Sequence, residues 1–169
     1  MYANKYSNFW RRFFATLIDS IVFLPLEWID DYVLSGVINS GGVFAWGVAY
    51  SLIGITYYVG MHAKYGQTIG KMVTRVKVVD VSESRNLTLK QSCMRDIVPI
   101  MLIPFNFYVY AQLSFYDNTW DSLEQGRIVI FVGYAMIGWV LLEFISMLFN
   151  HKRRAIHDFI AGSVVVKKV

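Results

Sequence analysis

The stretch RRFFATLIDSIVFLPLEW (11–28) decides how this chain is read, because Asp19 stands inside a run otherwise apolar enough to enter a membrane. A carboxylate at the centre of a membrane helix costs about 2.5–3.5 kcal/mol on insertion scales unless it is paired, hydrated or protonated. Arg12 precedes Asp19 by about two helical turns, so both side chains lie on nearly the same face. That face must meet protein or water rather than lipid. The expectation is an Arg12–Asp19 pair at the functional centre of the protein.

The rest of the chain fits the same setting. Of its 169 residues, 56% are hydrophobic and 17% aromatic. Apolar content this high, gathered in long runs, is unusual for a water-soluble domain of this size and identifies an integral membrane protein. Four runs approach the roughly 20 residues needed for a crossing: about 12–31, 42–62, 97–115 and 128–149. The third holds Pro99 and Pro104 and reads as a kinked span, with a re-entrant helix as the alternative. The expected fold is an all-α membrane protein, a single domain over 1–169. It is a four-helix transmembrane bundle with a small cytoplasmic β-ribbon.

Charge sets the expected orientation. The arm before the first run, the segment 63–96 and the tail 150–169 hold every Lys and Arg except Arg127. The two remaining connections carry Glu27, Asp30 and Asp31, then Asp117, Asp121 and Glu124. Excess Lys and Arg mark cytoplasmic segments, so both termini are expected inside and the number of crossings even. The basic residues flank apolar runs, which argues for orientation signals rather than nucleic-acid binding. The start of the chain has a positive region before an apolar run, but Asp19 and the lack of a small-residue cleavage site favour an uncleaved first span.

Two polar segments carry motifs. KMVTRVKVVDVS (71–82) and GSVVVKKV (162–169) are β-branched runs, and two lone strands would leave unpaired edges, so they are expected to pair with each other. GQTIGK (66–71) has too few residues between its glycines for a phosphate loop, and Met72 stands where a Ser or Thr is needed. Its Gly66, Gln67, Thr68, Gly70 and Lys71 are expected to shape a tight exit from the second span, with Gln67 and Thr68 satisfying backbone groups. His157-Asp158 has no second cluster at metal-ligand spacing, so Asp158 is expected to pair with arginines or cap local structure, and no metal or cofactor is expected. Cys93 has no identifiable partner for nucleophilic chemistry, and an intramembrane enzyme is not expected. Glu143 in the fourth run and Arg95-Asp96 before the third bring further charge to the inner half of the bilayer, where separated charges would each bear a desolvation cost. Trp10, Trp28, Trp46, Tyr57, Tyr58 and Trp120 read as interfacial belt residues. Gly54, Gly60, Gly133 and Gly138 are candidates for close helix contact.

The stretches FWRRFFATLIDS (9–20), YGQTIGKMVTRVKVVD (65–80) and HKRRAIHDFIAGSVVV (151–166) together resemble the RDD family of small membrane proteins, named for an arginine and two aspartates. Arg12, Asp19 and Asp158 match the three positions, with Arg11 a close alternative for the first. Asn150 departs from the acidic residue often found before the last basic cluster. The resemblance implies a bacterial inner-membrane protein, and cation/proton exchange has been proposed for some members.

Two functions are expected to compete. In a transporter, Asp19 assisted by Glu143 would alternately hold a proton and a monovalent cation, with Arg12 tuning the carboxylate. So small a bundle would then work as a homo-oligomer. In a scaffold or partner subunit, the Arg and Asp residues would be a static clamp.

Overall fold

The structure, a computed structural model, describes residues 5–6, 8–116 and 118–168. Asp117 and Val169, which belong to the expected acidic connection and second strand, lie outside them. Helix α1 (Phe9–Tyr32) runs through Pro25 and widens into a π-type turn, Val33–Val37, where Gly36 takes φ 85°. Helix α2 (Ser40–Tyr65) starts at Asn39, whose side chain accepts from Gly42 N at 2.8 Å, and ends at Gly66 with φ 68°. A left-handed residue is the common way to stop a helix, and glycine takes that conformation without steric cost.

Three helical stretches are long and apolar enough to cross a membrane: Ser40–Tyr65, Ile97–Phe115 and Arg127–Ser146. The expected first span forms its helix but does not join that set among the described residues. α1 has 24 residues, yet it carries Arg11, Arg12, Asp19, Glu27, Asp30 and Asp31. The third stretch is the kinked rod expected from its prolines. It breaks at Leu102 into α5 (Ile97–Met101) and α6 (Ile103–Phe115), with Pro104 in the first turn of the second piece. Proline has no N–H for the preceding turn and its ring crowds the carbonyl four residues back, so the break falls just before it. Taken as one rod, 19 residues rise about 28 Å, close to the hydrocarbon thickness. The short α7 (Trp120–Glu124) leads into α8 (Arg127–Ser146), the most apolar helix.

The ribbon forms as expected. β1 (Val76–Asp80) and β2 (Ser163–Lys167) pair antiparallel in the register Val76↔Lys167 to Asp80↔Ser163. Val76, Val78 and Val165 pack with Leu87 on one face, while Val79, Val164 and Val166 meet Tyr6 on the other. Both faces are covered, which explains near-continuous valine runs instead of strict alternation. The strand is shorter than the stretch 71–82, because its start folds as the short helix α3 (Ile69–Val73). Two further short helices, α4 (Leu89–Arg95) and α9 (Ile156–Ile160), bring their ends onto the same side of the molecule as the ribbon. This is the basic end. At the opposite, acidic end, Val33 and Val43 pack around Tyr110, and Asp30 accepts from Trp46 Nε1 at 2.7 Å and from Tyr110 Oη at 2.5 Å.

The close approaches occur at glycines other than those expected. A side chain at Gly54, Gly60, Gly133 or Gly138 would meet nothing within 4 Å. A Cβ at Gly47 would sit 2.1 Å from the Tyr110 ring, and one at Gly70 would sit 2.0 Å from the Ala15 carbonyl oxygen. Gly70 therefore sets how closely α3 lies on α1. Gly70→Ala is expected to destabilise the protein by about 2–3 kcal/mol, since backbone cannot step aside. Gly138→Ala, in open space on a helix, should be neutral or stabilising by up to about 1 kcal/mol. Thermal unfolding of the purified proteins in detergent separates the two, and equal melting temperatures would refute the packing role of Gly70.

Candidate functional site

Asp158 is fully buried at the start of α9, and both of its oxygens are used. Oδ2 accepts from Arg12 Nη2 at 2.9 Å and from the Ala155 backbone N at 3.0 Å. Oδ1 accepts from Arg95 and from Ser163 Oγ at 3.1 Å, and Arg95 Nη1 also donates to Ser163 Oγ at 2.8 Å. One carboxylate thus joins α1, α4, α9 and β2. Arg11 lies on the exposed side and donates to Thr74 O at 3.0 Å, so Arg12 is the arginine of this cluster. Burial alone would raise the Asp158 carboxyl, but Arg12 and Arg95 hold it well below its ordinary value.

Arg12 and Asp19 do not pair. Seven helical residues separate their backbones by about 10 Å, and helical side chains lean toward the N-terminus, which carries Arg12 away from Asp19. Asp19, 2% exposed, instead accepts from Tyr57 Oη at 2.8 Å, Thr68 Oγ at 2.6 Å and the Gly70 backbone N at 2.8 Å. Tyr57 Oη in turn accepts from Ile69 N at 3.0 Å. The carboxylate of α1 satisfies an N–H in the first turn of α3 that no residue of that helix can satisfy, and hydroxyls from α2 and its exit complete the arrangement. Gly66, Gln67, Thr68 and Gly70 shape the exit as expected: Gln67 Nε2 donates to Val76 O at 2.8 Å, and Thr68 also caps α3. Tyr57, expected in an interfacial belt, is a partner of Asp19.

Glu143 does not reach Asp19 either. It accepts from the His157 backbone N at 3.0 Å, and its second oxygen lies 2.7 Å from His157 Nδ1, fastening α8 to α9. Burial, then the nearby Arg95, lowers the basicity of His157. Asp96 pairs with His62 of α2, Oδ2 to Nδ1 at 3.1 Å. The sequence assigns no role to His62. It is a lone histidine near the end of an apolar run, and only its position there distinguishes it.

The basic end encloses a cavity of about 190 Å³ lined by Tyr58, His62, Lys71, Arg95, Asp96, Trp139 and His157, with Val98 and Pro99. Lys71 therefore faces a cavity rather than shaping the turn. Burial first, and Arg95 second, lowers its ammonium to about 8. A second cavity of about 290 Å³ shares Tyr58, Asp96 and Pro99 with the first and continues between α2, α5–α6 and α8 past Ser51, Asn106 and Met136 to Tyr50. Among the described residues no group of three or more His, Cys, Asp or Glu side chains is arranged to hold a metal ion.

The RDD family model matches residues 6–162, and the chain belongs to the RDD family. It is 27% identical to the uncharacterized membrane protein YteJ of Bacillus subtilis (strain 168), over 96% of this chain and 82% of that protein. No solved structure matches.

Asn150, where the family resemblance leads one to look for an acid, uses its amide as both donor and acceptor. Nδ2 donates to Ser146 O at 2.9 Å and Arg154 O at 2.7 Å, while Oδ1 accepts from Arg154 N at 2.7 Å. A carboxylate can only accept, so Asn150→Asp should cost about 1–3 kcal/mol by facing two carbonyls with an anion. An Asp variant that melts at or above the wild-type temperature would contradict this. Acid should loosen the same end. Glu83, held by hydrogen bonds from Lys5 and Tyr6, is lowered from 4.5 to about 2, and Asp158 lies below its ordinary 3.8. The folded state thus binds fewer protons than the unfolded one, so this stability is complete above the ordinary carboxylate values and disappears as pH falls through the folded ones. Melting temperatures should drop between pH 4.5 and 2, and Glu83→Gln should flatten the upper portion of that drop.

Proposed function

We propose that this membrane protein is a transport-related protein in which Arg12, Asp19 and Asp158 hold the scaffold and the two adjoining cavities form the inner section of a solute path. The observation that carries the reading is that the two cavities adjoin, sharing Tyr58, Asp96 and Pro99, and lead from Lys71 and His62 at the basic end to Ser51 and Asn106 between the helices. A span has little reason to bury such groups in lipid unless they face protein or a water-filled space. α1, about 36 Å long, would supply a fourth crossing with its charged face toward the protein. Both termini would then lie in the cytoplasm of a bacterial cell, a reading that the distribution of Lys and Arg supports.

Exchange of protons and monovalent cations at Asp19 is the less favoured form of this idea. A cation entering there would have to displace donors from Tyr57, Thr68 and Gly70 and separate α1 from α3. The scaffold reading draws on α8, which buries Glu143 but presents apolar side chains such as Phe131, Ile137 and Leu141 outward, a surface a partner helix could use.

Proteoliposomes loaded with a pH-sensitive dye test the choice, with gradients of Na⁺, K⁺ or small organic anions imposed across them. Transport through the cavities predicts solute-dependent flux that Gly54→Leu abolishes without loss of folding, because Gly54 lines the larger cavity and has open space beside it. Asp19→Asn should lower the folded yield yet leave flux in the protein that survives. Absence of flux with every solute would overturn the transport reading and favour the scaffold.

A further inference from the structure

His62 and Lys71 are basic groups of the smaller cavity whose nitrogen atoms the surrounding protein leaves wholly or nearly without partners. His62 is 2% exposed, its Nδ1 faces Asp96, and its Nε2 has no hydrogen-bond partner among the described residues. The Lys71 ammonium has only a long 3.4 Å contact to Thr68 Oγ, and no described carboxylate lies within 4 Å of it. The other charges around them are committed. Arg95 is held by Asp158 and Ser163, His157 by Glu143, Arg12 by Asp158, Asp19 by its three donors, and Asp96 by His62. With Nδ1–H donated to Asp96, Nε2 carries a lone pair, so the cavity offers one cationic donor and one base. Buried side chains of this kind ordinarily have partners, and an unpaired one calls for an explanation.

We infer that this cavity binds a small carboxylic acid, taking the carboxylate on Lys71 and its proton on His62 Nε2, with the apolar end of the molecule in the adjoining larger cavity. The inference deepens the transport reading and rests on it for its physiological sense. One carboxylate oxygen would accept from the Lys71 ammonium. The other would accept from Nε2–H once His62 holds the acid's proton, which near pH 7 is drawn from the buffer, while Asp96 stabilises the imidazolium through Nδ1–H. No covalent bond changes. Anion and proton enter together, so the net charge of the buried site is unchanged, whereas a proton entering alone would place a second cation beside Lys71. Ile55, Leu102, Ile103 and Met136 line the adjoining cavity and suit a short alkyl chain, which excludes the mineral oxyanions as best fit.

Calorimetric titration of the full chain in nanodiscs with butyrate tests this, with empty nanodiscs as the blank. Butyramide, of the same shape without an acidic group, and butylamine, of opposite charge, are the comparison ligands. The expected result is saturable butyrate binding with about one proton taken up per molecule near pH 7, read from buffers of different ionisation enthalpy. Butyramide and butylamine should bind at least tenfold more weakly. Lys71→Gln should weaken butyrate at least tenfold. His62→Gln should abolish the proton uptake even where some binding survives. Each variant is compared only if it elutes and melts as a folded protein, and the proton count on the wild type needs no variant. No saturable heat at millimolar butyrate, equal binding of butyramide, binding without proton uptake, or unchanged binding in folded Lys71→Gln would each overturn the inference. Binding without flux in proteoliposomes would overturn transport but keep this site; flux of another solute without butyrate binding would do the reverse.

Discussion

A fully buried carboxylate between two guanidinium groups holds the basic end together. Asp158 is in a place where an unpaired charge would be prohibitive, and breaking such a pair typically costs about 3–5 kcal/mol because the remaining charge stays buried. Its partners come from three separate regions of the chain, Arg12 at the start of α1, Arg95 at the end of α4 and Ser163 at the start of β2. Forming that cluster therefore fixes the order of assembly in space. The tail must return to the first helix, and the ribbon must close, before the charges are satisfied. Arg95 also carries Asp96 with it, and Asp96 orients His62. The cavity owes its shape to the clamp although the clamp supplies little of its chemistry.

Asp19 has a parallel role deeper in the molecule. Its carboxylate meets two hydroxyls and one backbone N–H, all neutral donors, where Asp158 meets two cations. Charge-assisted hydrogen bonds of this kind are roughly twice as strong as neutral ones. They form only because Gly70 lets α3 approach the Ala15 carbonyl. The glycine and the aspartate are thus one device: without the close approach the carboxylate loses its backbone donor, and without the carboxylate the first turn of α3 has an unsatisfied N–H in a buried place.

Much of this was legible in the sequence, for identifiable reasons. The ribbon followed from two β-branched runs in polar segments, and the break at Leu102 from Pro99 and Pro104. Arg12 and Asp19 stood out as ionisable residues beside or within an apolar run, and Asp158 through the family resemblance. Their pairing was not legible, because helical spacing speaks only of neighbours on one helix, while Asp158 lies 146 residues from Arg12 and reaches it through the fold. The partners of Tyr57 and Trp46, Asp19 and Asp30, were not legible either, because an aromatic near a span end looks the same whether its polar atom meets a headgroup or a carboxylate. The glycines were misjudged for a similar reason: spacing within a helix does not reveal whether a neighbour comes close. Lys71 was placed in a turn because its glycine neighbours dominated the motif.

The division between satisfied and unsatisfied groups narrows what the protein can do. In a low-dielectric interior a charge that already has a partner is held in place by the full cost of leaving it, so it is a poor candidate for binding and releasing a solute. Arg12, Arg95, Asp158 and Asp19 are of this kind, whatever their prominence in the sequence. Lys71 and the Nε2 of His62 are not, and part of the wall around them is lightly packed. Trp139 and Met136 belong to α8, which is fixed to the basic end through Glu143 and His157 and buries no other residue among those described. The site has one side built from clamped charges and another formed by a helix fastened mainly near its end, by Glu143 to α9 and by Phe144 to Phe9. That separation lets the same fold keep its buried charges paired while the groups facing the cavity remain available to a ligand.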